Sequence, residues 1–270
     1  MNRSEMLVQI DQLLNLGESL SGHLRKREVQ FLATLPFLEA QGDILEIGSF
    51  KGKSTIILAK AAIAAGMDTI SACDPLSLSC ETDPDDAVKE ELPQMFYDNL
   101  TQYDVKDNVR FYQMRSDHLA PEWKNPLKIL WIDGDHTYPG ALADFSLFKP
   151  HLVPGAIVCL HDVLHGFDGP IRVFMEKILL SDCFGNCGIC GSIGWGQFTS
   201  QRPILHNQWK NKLSLYAKLA RLLPGVIQSN LGQPVNKYRK KLLKALIPHG
   251  PISPPLWLEE QNQFFSTRVD

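Results

Sequence analysis

The 270-residue chain contains no run of about 18 apolar residues, so it offers no helix able to span a bilayer. Its opening stretch, "MNRSEMLVQIDQLL", carries Glu5 and Asp11 where a secretory signal needs an unbroken apolar segment. A cytoplasmic location is therefore expected. Cysteine is scarce. Of six residues, Cys73 and Cys159 fall inside apolar strand-like runs, which argues against a secreted disulfide framework. Acid is missing from one whole region: between Cys183 and Leu258 there is no Asp or Glu, but ten Lys or Arg. The other residues hold 30 acids against 17 bases, a net of -13 that the overall -3 conceals. Two regions with different partners are implied.

What is present suits a globular protein with one α/β domain and an appendage. Short β-rich runs, "DILEI" (43–47), "TISAC" (69–73), "VRFYQ" (109–113), "KILWI" (128–132) and "AIVCL" (156–160), alternate with helical patterns over 55–65, 87–103 and 140–147. Such alternation predicts βαβ units and a parallel sheet with helices on both faces. Ligands then bind beyond the carboxyl ends of the strands. Residues 1–40 read as N-terminal helices capping the acceptor side, 41–200 as the cofactor-binding domain and 201–270 as a basic helical extension.

"GSFKGKST" (48–55) looks like a phosphate-gripping loop, but Gly48 and Gly52 enclose three residues where such a loop has four. Glu46 at the strand end would also repel a polyphosphate. An acid, a glycine turn and a helix suit a nucleoside cofactor of little negative charge. Gly48 and Gly52 permit the tight turn, Ser54 is a candidate cap for the next helix and Gly66 its end. Asp74, following the second strand, is placed to accept from ribose hydroxyls. A nicotinamide cofactor would call for G-x-G-x-x-G. The sulfonium of S-adenosylmethionine fits better.

"ILEIGSFKGKSTIILAKAA", "ISACDP", "NVRFYQMRSD" and "ILWIDGDHTYPGALADFSLFKPHLVPGAIVCLHDV" resemble the class I S-adenosylmethionine-dependent methyltransferases over about residues 25–198. The branch they resemble is methyltransferase family 24, related to macrolide-sugar and catechol O-methyltransferases. The resemblance implies a Rossmann-like, mostly parallel seven-stranded sheet. It also implies a cofactor site at Glu46, Gly48, Ser49, Gly52, Ser54, Asp74, Ser116, Asp117 and Asp133. O-methylation of a small hydroxylated acceptor, a sugar or glycosylated metabolite, is expected. A cephalosporin-hydroxylase-like enzyme of the same fold and a non-catalytic cofactor-binding module are the alternatives.

"WIDGDHTY" and "CLHDVLHG" put Asp133, Asp135 and His136 at one strand tip and His161, Asp162 and His165 at the next. Adjacent parallel strands lie about 4.8 Å apart, so both tips can meet one ligand. By position in metal-dependent relatives, Asp133, His161 and Asp162 would hold Mg2+ or Mn2+. Relatives usually carry Asp or Glu where this chain has His161, so a metal-free site with Asp133 and His161 or His136 in catalysis, a histidine acting as base, is the other version.

"CFGNCGIC" spaces Cys183, Cys187 and Cys190 as in iron–sulfur radical enzymes, but free thiols in a loop are the expected reading. "GSIGWG" resembles the family's late strand. In "WKNKLSLYAKLARLL", Trp209, Leu213, Tyr216, Ala220 and Leu223 share a predicted apolar face opposite Lys210, Lys218 and Arg221. This extension is expected to pack on the acidic domain or make a homo-oligomer, with peripheral membrane contact as the sharper possibility and no nucleic acid partner.

Overall fold

A computed structural model describes residues 2–77 and 90–266. Seven strands form one sheet in the order β3-β2-β1-β4-β5-β7-β6. The first five are β1 (Asp43–Ile47), β2 (Ile70–Cys73), β3 (Val109–Tyr112), β4 (Leu127–Ile132) and β5 (Leu152–Leu160), all parallel. Each matches an expected run to within a few residues. β6 (Phe184–Cys190) and β7 (Ile193–Phe198) form a hairpin that joins β5 antiparallel. Ile129, Leu130, Trp131 and Ile157 are wholly buried, because helices cover both faces of a central parallel sheet.

On one face lie α1 (Arg3–Ser19), α2 (Lys26–Thr34), α3 (Lys53–Ala64) and α4 (Leu92–Gln102), packed over Ile44, Ile129, Ile157 and Ile193. The expected helix over 87–103 begins among residues outside the described ones. α3 ends in Gly66 at φ +82°, as its sequence suggests, but it starts from Gly52, not from a Ser54 cap. Ser54 sits buried inside the first turn.

The other face carries α5 (Ser116–Leu119), α6 (Tyr138–Phe148) and α7 (Asp168–Val173), whose last turns over Phe174–Leu179 loosen into a π-helix. α8 (His206–Asn230) packs beside α7 and β6, followed by α9 (Lys237–Ala245). α10 (Pro254–Ser266) returns to α2 and β5, with Trp257 edge-on to Phe31 and Trp195. Among the described residues no helix is long and apolar enough to cross a membrane.

Two expectations change. α8 buries Lys212, Leu215, Leu219, Leu222 and Val226, while Leu213, expected on the apolar face, is exposed. The face is rotated because Lys212 is satisfied inside: its Nζ donates to the carbonyls of Ser181 and Phe184, both at 2.5 Å. The same helix also runs through Pro224, with Leu222 and Val226 buried on either side of the lost hydrogen bond. Cys187 and Cys190 lie in a strand rather than a loop, and their odd spacing sends them to opposite cores. Burial pushes both thiols up to about 12, and on opposite faces of the sheet they do not converge on one ion.

Candidate active site

The strand order reverses between β1 and β4, and that switch point opens a cavity of about 730 Å3. The volume is enough for a nucleoside cofactor and a second small molecule together. Hydrogen bonds beyond the strands fix the tips in register: Gly48 N donates to Cys73 O, Asp133 N to Ile47 O and His161 N to Ile132 O. Gly48 is obligatory at this crossing. Its φ is +86°, and a Cβ there would stand 2.2 Å from Asp133 O.

The loop after β1 is organised by Asp74. Ser49 N (2.7 Å) and Phe50 N (2.9 Å) both donate to Asp74 Oδ2, and Leu76 N donates to Oδ1. Two amides that a phosphate-binding loop would aim at its ligand are thus turned onto a carboxylate. The cavity wall carries Asp74, Asp117, Asp133, Asp135, Asp144 and Asp162. Its nearest cations are partly committed, since Arg115 pairs with Asp117 and Lys53 Nζ donates to Leu20 O. Such a wall favours a sulfonium and disfavours a triphosphate.

Gly48, Ser49, Ser54, Asp74, Ser116, Asp117 and Asp133 all line the cavity, as does Asp144, which the sequence did not single out. Ser116 Oγ donates to Asp144 at 2.5 Å, and burial raises that carboxyl to about 6. Gly52 lies behind the loop, its open side against Phe96. Glu46 is one layer below the wall. It is fully buried, accepting from Ser49 Oγ (3.0 Å) and Thr55 Oγ1 (2.5 Å), with Oε1 unpartnered. Burial raises it to about 7 despite those hydroxyls.

At the other end the tips of β4 and β5 converge as expected. His161 Nδ1 lies 2.9 Å from Asp133 and 3.4 Å from Asp162, and its Nε2 is 4.0 Å from Glu28. Burial disfavours charge on this imidazole, but Asp133, Glu28 and Asp162 together hold its pKa well above 6.5. Glu28 is the partner the sequence did not reveal. It is buried on α2, takes hydrogen bonds from Arg25 N, Ser192 N and Ser192 Oγ, and closes the site from the N-terminal side. Burial opposes its ionisation, yet His161 and those amides bring it down to about 2.

His136 Nε2 lies 3.3 Å from Asp133 and 3.8 Å from Asp162, its ring stacked on Phe167 at 4.9 Å. Burial works against its charge, but the two carboxylates raise its pKa. His165 Nδ1 donates to Asp162 Oδ1 at 2.6 Å. Asp162 itself sits at φ +61°, a conformation rare outside glycine and one that sets its carboxylate between the imidazoles. Asp135 takes a turn role, accepting from Thr137 N at the start of α6.

Among the described residues, the ligand atoms of Asp133, His136 and Asp162 lie within 4.8 Å of one another, close enough to share one cation. His161, the expected ligand, turns Nδ1 to the same two carboxylates at 2.9 and 3.4 Å. The donor set, two carboxylates and an imidazole, suits a divalent ion. His161 and His165 would act behind the ligands, orienting Asp133 and Asp162.

A doubly flanked sheet with a nucleoside-sized acidic cavity at its switch point is the fold of the class I S-adenosylmethionine-dependent methyltransferases. Residues 45–163 match the family model Methyltransf_24, described as a methyltransferase domain. Among solved structures, the O-methyltransferase NovP is similar at TM-score 0.55 and 15% identity, over 72% of this chain and 98% of that one. Cofactor-bound Rv0187 from MTB is similar at TM-score 0.52 and 16% identity, over 73% and 90%.

Proposed function

We propose that the protein transfers a methyl group from S-adenosylmethionine to a hydroxyl of a small polyhydroxylated acceptor, a sugar or glycosylated metabolite. The observation that carries this reading is the convergence of Asp133, His136 and Asp162 within one cavity on the acidic cofactor wall. Nucleoside and methionine moieties would lie along Asp74, Ser49 and Gly48, with the acceptor between the β4 and β5 tips and the Ser21–Arg25 segment. The many polar groups on that side suit an acceptor rich in hydroxyls.

In the reaction the acceptor oxygen attacks the methyl carbon, the carbon–sulfur bond breaks, and sulfur leaves as a neutral thioether. Holding the two in line supplies about 7–11 kcal/mol of the rate enhancement. A divalent ion at Asp133, His136 and Asp162 would supply Lewis acidity that lowers the acceptor pKa. His165, with Nδ1–H given to Asp162, presents Nε2 as the proton acceptor. His161, whose Nδ1 lies 2.9 Å from Asp133, would orient that carboxylate.

The test is transfer of labelled methyl to a panel of sugars and phenols by the wild type and Asp133→Asn, with product analysis by mass spectrometry. O-methylation that falls by about 100-fold or more in the variant is expected. Equal turnover in both would remove the cluster from catalysis, and methyl on nitrogen or carbon would overturn the hydroxyl acceptor.

A further inference from the structure

α9 turns an apolar stripe to solvent. Tyr238, Leu242 and Leu246 recur every four residues on one helical face and are 89%, 63% and 56% exposed. No residue of Lys237–Ala245 is fully buried. The rotation of the helix is nonetheless fixed from beneath. Leu243 packs on the core, Ile247 just beyond is 2% exposed, and Lys244 Nζ donates to Leu164 O at 2.9 Å. The stripe therefore faces outward by construction. Exposed Lys237, Arg239 and Lys241 flank it, and Leu231, after α8, adds another exposed apolar side chain.

Charge decides what covers this face. With ten bases and no acid between Cys183 and Leu258, two copies meeting here would repel each other. A nucleic acid would satisfy the bases but leave Tyr238, Leu242 and Leu246 in water. A bilayer containing anionic lipid satisfies both, with apolar side chains among the upper acyl chains and cations at the headgroups.

We propose that α9, with the adjoining end of α8, docks the protein on an anionic membrane surface. Lys244 ties this helix to Leu164, the neighbour of cavity-lining His165. On α8 the core takes Leu215, Leu219, Leu222 and Val226, a face rotated from the one expected; α9 is the membrane element.

Co-sedimentation of the full chain with phosphatidylcholine vesicles, with and without phosphatidylserine, tests this. Binding is expected only with phosphatidylserine and is expected to weaken as salt rises. Leu242→Ser with Leu246→Ser, and separately Lys237→Gln with Arg239→Gln and Lys241→Gln, should each lower the bound fraction at least several-fold without moving the melting temperature. Absence of wild-type binding to anionic vesicles would overturn the proposal, as would binding that both folded variants retain. So would a dimer in size-exclusion chromatography that the leucine variant dissociates, since that face would then be an interface between copies.

Discussion

His161 Nδ1 stands 2.9 Å from Asp133 Oδ1, and this contact ties the tip of β5 to the tip of β4. Through the far side of the ring it reaches Glu28, so the N-terminal helices and the sheet share one buried charge cluster.

Removing Glu28 should be costly. Glu28→Ala leaves a buried imidazolium short of a counter-charge and strands Ser192 N, so a loss of about 3–5 kcal/mol is expected in urea unfolding. Its ionisation also sets an acid limit. The folded pKa, about 2, is below the ordinary 4.5, so the stabilisation is complete above pH 4.5 and lost as pH falls through 2. Glu28→Gln should flatten the pH dependence of melting across that window.

Gly48 allows no side chain. Gly48→Ala combines a positive φ with a Cβ 2.2 Å from Asp133 O, so the β1 and β4 tips must separate. Strain and overpacking together predict a loss of about 2–5 kcal/mol in chemical denaturation, and cofactor binding should fall with it.

Glu46 carries the opposite sign to Glu28. Its folded pKa, about 7, exceeds the ordinary 4.5, so the folded state holds the proton more tightly and loses stability as pH rises from 4.5 through 7. Glu46→Gln removes that titration. Relative to the wild type, the variant should gain on the order of 3 kcal/mol between pH 4.5 and pH 8, read from melting curves at the two pH values.

Adding Mn2+ should raise the melting temperature and give a bound-ion signal in electron paramagnetic resonance. Asp162→Asn, which removes one carboxylate ligand but keeps an amide for His165, should weaken that binding by about tenfold or more. An unchanged spectrum in the variant would place the ion elsewhere.

The sheet and the site were readable to different depths. Strands β1 to β5 were plain because continuous apolar runs between helical segments have few other uses, and Asp74, Asp133 and Asp162 follow directly from their ends. β6 was hidden by its glycines, which are needed because Gly185 and Gly188 lie against Thr199 and Trp195. Glu28 was hidden by distance, since nothing in α2 signals a contact with His161 more than a hundred residues away. The face of α8 was misjudged because hydropathy places a lysine outside. Lys212 can be inside only because two carbonyls happen to meet it.

Asp74 offers the most direct check on the account. Calorimetric titration with S-adenosylhomocysteine should show binding to the wild type and at least about tenfold weaker binding to Asp74→Ala, whose loop amides lose their carboxylate, with no heat from ATP and magnesium. A folded wild type that ignores the homocysteine nucleoside, or takes up the triphosphate, would contradict it.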